Sequence, residues 1–200
     1  MKRLNKVIVK LTTADFFLHS GWGLVAPIFA IFIVGNIEGG SIEMVGFIAA
    51  TYWITKSTIQ PFLANLLDMI KGEEDDFNFL VYGLYVSSLI PLGYFMATHV
   101  WHIFALEFFR GIAMACVVPA WHGIFTRHIN KGWEAFSWSV QSTGLGFALG
   151  FAAAFGGIIA TFLGFKTVFI LVSILGLISA TLILIIKNKT FPQEEKLTTD

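Results

Sequence analysis

The stretch WHIFALEFFRGIAMACVVPAW, from Trp101 to Trp121, is long and apolar enough to cross a lipid bilayer as a helix. A hydrocarbon core about 30 Å thick needs roughly 20 helical residues. Yet the stretch also contains Glu107 and Arg110, three residues apart. A charged side chain in hydrocarbon is costly, so this pair needs either a neutralising partner or a function.

Five further apolar blocks have a similar length, and 56% of the 200 residues are hydrophobic against 13% charged. Soluble domains carry about 25% charged residues, so a soluble protein is excluded. The pattern predicts an all-α membrane protein with six transmembrane helices, at residues 11–34, 44–67, 77–97, 101–125, 136–165 and 167–186. The six-helix bundle then covers residues 11–187, between an N-terminal segment, 1–10, and a tail, 188–200.

Basic residues are concentrated on one side of the predicted bundle. They precede the first helix, separate helices four and five, and follow the sixth: Lys2, Arg3, Lys6, Lys10, Arg127, Lys131, Lys187, Lys189 and Lys196. The only basic residue in a loop on the other side is Lys166. Because positively charged segments stay in the cytoplasm, we predict a multi-pass protein of the cytoplasmic (plasma) membrane with both termini cytoplasmic.

The six blocks repeat as two triplets whose starts are offset by about 90 residues. Asp15 precedes Pro27 by twelve residues, and Glu107 precedes Pro119 by the same distance. Because three helices are an odd number, the second triplet enters the membrane with opposite polarity. We therefore predict a 3+3 inverted repeat, which is typical of secondary transporters. The alternative is that any six-helix protein with short loops has similar spacing.

Five ionisable residues lie well inside the predicted helices, and several are spaced to share a helix face. Asp15 and His19 are four residues apart, and Glu107 and Arg110 are three apart. Such residues face the bundle interior or water, and they often mark substrate or ion pathways. We predict a substrate or proton pathway lined by Asp15, His19, Trp22, Lys56, Gln60, Glu107, Arg110 and Gln141. The alternative for the glutamate–arginine pair is a neutralised contact that only fixes helix packing.

The fifth block carries small residues at helical spacing. Gly146, Gly150 and Ala154 are four residues apart, and Gly156 and Gly157 follow them. Small residues at this spacing let another helix approach closely in a membrane. We predict a helix-packing surface here, either within the bundle or toward a partner.

The sequence lacks the residue sets of membrane enzymes and metal sites. There is no HExxH motif, no glycine-rich phosphate loop, and no serine motif with a histidine on a later helix. His99 and His102 have metal-like spacing, but an interfacial belt explains them better. We expect no enzyme activity, cofactor, metal site or nucleic-acid partner, and the single Cys116 forms no intramolecular disulfide.

Several short motifs resemble those of the major facilitator superfamily, in the expected order along nearly the whole chain. ANLLDMIKGEEDD resembles the family's loop signature between helices two and three and keeps Leu66, Asp68 and a displaced Gly72. Met69 stands in place of one basic residue, and acids replace the trailing basic pair. Arg110 lies where the family often has an arginine in helix four. The segment from Ala152 to Gly157 resembles a helix-five motif without its proline.

The resemblance implies a six-helix chain similar to the N-terminal half of a transporter that normally has twelve helices. It implies a cavity lined by helices one and four, with a gating loop at Asp68 and Gly72. We therefore expect secondary transport of a small molecule by alternating access, ion-coupled or facilitative, with a proton as the candidate coupling ion. A parallel homodimer would rebuild the cavity. The alternatives are a membrane scaffold or assembly subunit, and one half of a heteromeric transporter.

Overall fold

The computed structural model describes residues 4–70 and 72–190, which form an almost entirely helical bundle. The helices are α1 (Lys6–Val25), α2 (Phe29–Asn36), α3 (Ile42–Met69), α4 (Glu74–Met96), α5 (Val100–Arg127) and α6 (Glu134–Thr190). The predictions for residues 1–3, for Lys71 and for the tail beyond residue 190 lie outside the described residues. An all-α fold is therefore confirmed.

The first predicted span is broken in the middle. α1 and α2 are bent by 42° relative to each other across the segment that contains Pro27. Proline has no backbone N–H and its ring clashes with the preceding turn, so it interrupts a helix at this position. Together the two helices have the length and apolar character of one membrane span.

The fifth and sixth predicted spans are joined as α6, which has 57 residues. A straight helix of that length would reach about 85 Å, far more than a bilayer core of about 30 Å. Gly164 interrupts it with φ 81° and ψ 162°, a conformation that an L side chain rarely adopts. α6 thus consists of two long segments, residues 134–163 and 165–190, close to the predicted division.

Length and apolar character identify three helices of the described chain as candidate spans, α4, α5 and α6, and a fourth if the bent pair α1–α2 is one span. α3 is not among them although it has 28 residues. It is long enough, but Lys56, Gln60 and Asn65 make its second half more polar than those of the other helices. The count of six membrane spans therefore stays a prediction.

Two apolar cores hold the helices together. The first lies at the end of the bundle where α1 begins and α6 ends, here called the terminal end, and includes Leu11, Phe77 and Ile124. The second lies at the opposite end and includes Ile33 and Phe169. Trp22 of α1 packs against both cores, so the polar residues near it lie at the middle of the bundle.

The segment 134–163 presents two small-residue surfaces, and only one of them packs inside the chain. A side chain at Gly156 would place its Cβ 2.1 Å from the carbonyl oxygen of Leu24, so α1 lies directly against this glycine. Gly144, Ala148 and Ala152 continue the same surface at spacing four, and both alanines are buried.

The predicted surface of Gly146, Gly150 and Ala154 points elsewhere. All three residues are exposed, and a Cβ at either glycine would meet nothing within 4 Å; the same holds for Gly157, which is half-buried. Of the predicted packing glycines, Gly156 therefore has a close helix partner within the described chain. For the others, a contact with a partner stays a prediction.

Candidate functional site

The glutamate and arginine of the opening stretch form a direct ion pair within α5. The Nε of Arg110 donates to Oε2 of Glu107 at 2.9 Å, and a second guanidinium nitrogen donates to the same oxygen. Glu107 is 1% exposed and Arg110 is half-buried. Their spacing of three residues places both on one helix face, as the sequence predicted.

A tyrosine from α4 also contacts this pair. The hydroxyl of Tyr94 in α4 donates to Oε1 of Glu107, and the phenol ring is 1% exposed. Both carboxylate oxygens of Glu107 therefore accept hydrogen bonds from side chains. Sequence reasoning missed Tyr94; its one signal was a polar hydroxyl near the end of an apolar helix, since a buried tyrosine hydroxyl usually has a partner.

Two aromatic rings enclose the guanidinium of Arg110. Its Cζ lies 4.2 Å from the ring centroid of Trp22 in α1 and 3.8 Å from that of Tyr52 in α3. A cation against an aromatic face is stabilised by about 0.5–2 kcal/mol, more when water is excluded. Close contact between α5 and α3 makes this possible, because a Cβ at Gly111 would lie 3.0 Å from the carbonyl oxygen of Tyr52.

A second polar group lies nearer the terminal end, where α1 meets α6. Gln141 donates from Nε2 to Oδ2 of Asp15 at 2.8 Å, although the two residues are 126 apart in sequence. The Nδ1 of His19 lies 3.1 Å from Oδ1 of Asp15 and 2.9 Å from its backbone oxygen. Because both partners are acceptors, the hydrogen of the neutral ring is assigned to Nδ1, which leaves Nε2 as the basic nitrogen.

Two adjoining cavities connect the two polar groups. The larger has a volume of about 320 Å³ and is lined by Asp15, His19, Lys56 and Gln141 among apolar residues. The smaller has a volume of about 280 Å³ and reaches Glu107 and Arg110. The two share a wall formed by Leu18, His19, Tyr52, Trp53 and Met114.

The structure thus brings together most of the predicted pathway residues but leaves one aside. Lys56 lines the larger cavity, and its Nζ lies 4.8 Å from the ring centroid of Trp53. Trp22 lines the smaller cavity. Gln60, one turn beyond Lys56 on α3, is half-buried and lines neither cavity.

The predicted gating loop lies in a separate place, at the terminal end of the bundle. Asp68 and Gly72 line an open cavity of about 520 Å³ with Arg127 of α5. Arg127 donates to Glu73 at 3.1 Å and also to Asp76, which is 4% exposed. The acids that replace the basic residues of the resembled signature therefore pair with a base on another helix.

The C-terminal end of α6 contacts the start of α4, close to this loop. Nζ of Lys187 donates to Oδ1 of Asn78 at 2.7 Å and lies 3.5 Å from Glu74. Glu74 is in the first turn of α4, where acids also interact favourably with the helix dipole.

Among the described residues, no cluster of three or more histidine, cysteine or acidic side chains is suited to hold a metal ion.

Comparison with protein families gives a match that spans almost the whole chain. The family model described as Major Facilitator Superfamily matches residues 11–199, which confirms the resemblance inferred from the motifs. No curated protein matches the sequence.

Proposed function

The chain belongs to the major facilitator superfamily, and on that basis we propose that it moves a small molecule across a membrane by alternating access. Members of this family are transporters rather than enzymes, so membrane transport is the general function. We propose secondary transport, either facilitative or coupled to an ion such as a proton. The proposed location is the cytoplasmic membrane, with both termini in the cytoplasm.

One observation carries the proposal, namely the pair of adjoining cavities at the middle of the bundle. Asp15, His19 and Lys56 line one of them, and Glu107 and Arg110 line the other. Ionisable side chains at that depth are expensive unless they are paired or face a cavity. All five face a cavity, and four of them, Asp15, His19, Glu107 and Arg110, are also paired. A bundle that only needed to pack would have no use for such an arrangement.

The order of helix contacts supports the proposed inverted repeat. α1 packs against α6, with Leu24 directly against Gly156, whereas α5 packs against α3 at Gly111. An exchange of the two triplets relates span one to span four and span two to span five. The exchange therefore turns the contact between spans one and five into a contact between spans four and two. These are the contact of α1 with the first segment of α6 and the contact of α5 with α3, and both are present in the fold.

We further propose that two copies associate in parallel to enclose the transport pathway. The exposed Gly146, Gly150 and Ala154 surface permits close approach of a helix from another molecule. A two-fold axis along the membrane normal would place the same surface of each copy in one interface. A second, different polypeptide occupying this surface is the alternative arrangement.

Uptake by reconstituted protein tests the transport proposal. The purified chain would be placed in proteoliposomes, and uptake of a panel of small solutes would be measured with and without a pH gradient. We expect saturable uptake of at least one solute, lost at unchanged protein yield in the double variant Glu107→Gln with Arg110→Gln, which leaves no unpaired buried charge. Absence of uptake across a broad panel would contradict the proposal.

Cysteine crosslinking tests the pairing. Cys116 is the single cysteine, so Cys116→Ala gives a cysteine-free background. Gly150→Cys in that background should form a disulfide-linked dimer in native membranes, whereas Tyr82→Cys, on the exposed face of α4, should not. Transport with no crosslinked dimer would show that the paired arrangement is wrong.

A non-transporting scaffold is the second candidate, and one observation favours it. Two nitrogens of Arg110 donate to Glu107, and the rings of Trp22 and Tyr52 lie against its guanidinium. An arginine so enclosed suits a structural role in a membrane subunit. Loss of folding in Arg110→Gln, together with no uptake by the wild-type protein, would support this candidate.

A further inference from the structure

We propose that the larger cavity binds a small organic anion through Lys56 and that His19 takes up a proton when the anion binds. This inference rests on the proposed transport function and names its substrate class and its coupling residue. The anion would place a carboxylate or similar group at the ammonium of Lys56 and its apolar part against the opposite wall.

Lys56 is the cation of this site that has no acidic partner. Among the residues that the structure describes, no carboxylate lies within ion-pair distance of its ammonium, which instead lies 4.8 Å from the Trp53 ring. Arg110, by contrast, is neutralised by Glu107 at 2.9 Å. A half-buried ammonium that lines a cavity and lacks a counter-ion is suited to pair with an anionic ligand.

The acid in the same cavity is already bound by other groups. Oδ2 of Asp15 accepts from Gln141 at 2.8 Å, and Oδ1 lies 3.1 Å from Nδ1 of His19. Asp15 therefore balances the charge of Lys56 across the cavity without forming an ion pair with it. That separation leaves the ammonium of Lys56 accessible to a ligand.

The rest of the cavity wall is largely apolar, apart from Tyr52, His122 and Ser179, and this favours a ligand with an apolar body. Its apolar side chains include Leu84 of α4, Met114 and Val118 of α5, and Leu145 and Ile183 of α6. A volume of about 320 Å³ lies at the lower end of the range for small-molecule sites. The site therefore suits a compact monoanion with an aliphatic or aromatic body.

Charge balance links anion binding to a proton. With His19 neutral, the negative Asp15 and the positive Lys56 sum to zero in this cavity. A bound anion adds one negative charge in a region where uncompensated charge is costly. A proton from the aqueous phase on Nε2 of His19 restores neutrality, and the imidazolium that forms is stabilised by the adjacent Asp15 carboxylate.

Other titratable and charged groups face His19 from the elements around it. They are Asp15 on its own helix, Tyr52 and Lys56 on α3, Glu107, Arg110 and His122 on α5, and Tyr94 behind Glu107 on α4. From α6, the side chain of Gln141 contacts Asp15, and its amide does not titrate. Glu107 and Arg110 neutralise each other, and His122 is exposed, so His19 is the group best placed to respond to the anion.

Binding of monocarboxylates to the purified protein tests the first step. Acetate, butyrate, hexanoate and benzoate would be compared with their uncharged amides by quenching of tryptophan fluorescence, since Trp53 and Trp121 line the cavity. We expect saturable binding of the longer or aromatic acids and no binding of the amides. This comparison uses the wild-type protein, so it holds even if a variant fails to fold.

Substitutions then assign the binding to Lys56. Lys56→Gln should weaken binding about tenfold or more, because it removes a charge-assisted hydrogen bond, whereas Lys56→Arg should retain most of it. Lys166→Gln is the matched control: Nζ of Lys166 lies 4.7 Å from the Phe95 ring, but this lysine lines neither cavity of the pathway. Equal binding by the wild-type protein and Lys56→Gln would overturn the proposal.

Calorimetry in buffers with different ionisation enthalpies counts the protons. We expect net proton uptake on anion binding at a pH where His19 of the unliganded protein is neutral, and none in His19→Gln. His102→Gln is the control, because this exposed histidine lines neither cavity of the pathway, and it should behave like the wild-type protein. Proton uptake that persists in His19→Gln would overturn the coupling.

Failure of the transport function and failure of the anion site give different experimental results. Saturable carboxylate binding without flux in proteoliposomes would contradict the transport function and leave the anion site standing. Flux of a neutral solute by protein that binds no carboxylate would overturn the anion site and leave transport standing.

Discussion

The hydroxyl of Tyr94 on α4 donates to the buried carboxylate of Glu107 on α5, on the side opposite to Arg110. One carboxylate thus joins two helices directly, and through the rings around Arg110 it contacts α1 and α3 as well. A buried carboxylate is tolerated when its remaining lone pairs accept hydrogen bonds. Tyr94 donates the hydrogen bond to Oε1 that Arg110 does not make.

Replacing Tyr94 with phenylalanine should destabilise the bundle. Tyr94→Phe leaves Oε1 of Glu107 without its hydrogen-bond donor, at a cost of about 1–3 kcal/mol. Tyr82→Phe on the same helix is the control, because Tyr82 is 69% exposed. Thermal unfolding in detergent should show a lower midpoint for Tyr94→Phe alone, and equal midpoints would contradict the role of this hydrogen bond.

Alanine at two glycines of the same segment should have opposite effects. Gly156→Ala forces α1 and α6 apart, since its Cβ would lie 2.1 Å from the oxygen of Leu24, and overpacking of this kind costs about 1–3 kcal/mol. Gly146→Ala meets nothing within 4 Å and gains up to about 1 kcal/mol of helix propensity. Thermal unfolding of the monomer in detergent checks both signs; a midpoint for Gly156→Ala that is not lowered would contradict the close contact.

The segment 134–163 has two small-residue surfaces, and the sequence alone did not indicate which of them packs against α1. Residues 144, 148, 152 and 156 are all small, and so are residues 146, 150 and 154, so spacing alone permits either surface to face α1. The choice depends on where α1 lies, which is tertiary information. Local spacing did suffice for the Asp15–His19 and Glu107–Arg110 pairs, because helix geometry alone sets those contacts.

Contacts between residues far apart in the sequence could not be predicted from the sequence either. Gln141 was predicted as a pathway residue, but its contact with Asp15 joins residues 126 apart. The loop between α3 and α4 carries acids where the signature it resembles has basic residues. Its pairing with Arg127 and Lys187 explains the composition, yet only the fold brings those bases near it.

Removing Arg127 should loosen the terminal end of the bundle. Arg127→Ala leaves the buried Asp76 without its cationic partner, at a cost of about 1–3 kcal/mol, while the more exposed contact with Glu73 adds about 0.2–1 kcal/mol. Lys131→Ala, in the exposed loop that follows α5, is the control. Limited proteolysis of the loop between α3 and α4 should become faster in Arg127→Ala only, and equal rates in both variants would argue against the contact.

The pair in the opening stretch can be tested as structure and as pathway in one set of variants. Arg110→Gln leaves the carboxylate of Glu107 buried and unpaired, which should lower stability by about 3–5 kcal/mol. The double variant Glu107→Gln with Arg110→Gln removes both charges and should recover most of that stability. Thermal unfolding in detergent and uptake in proteoliposomes would be measured on the same preparations.

The two readouts separate the roles because they respond to different features of the pair. If it only neutralises itself, the double variant should regain both stability and uptake, since neither charge is then needed. If it also belongs to the transport pathway, stability returns while uptake stays low. We expect the second result, because the pair lines a cavity that shares His19 with the cavity of Asp15 and Lys56. Full uptake by the double variant would assign Glu107 and Arg110 to packing alone.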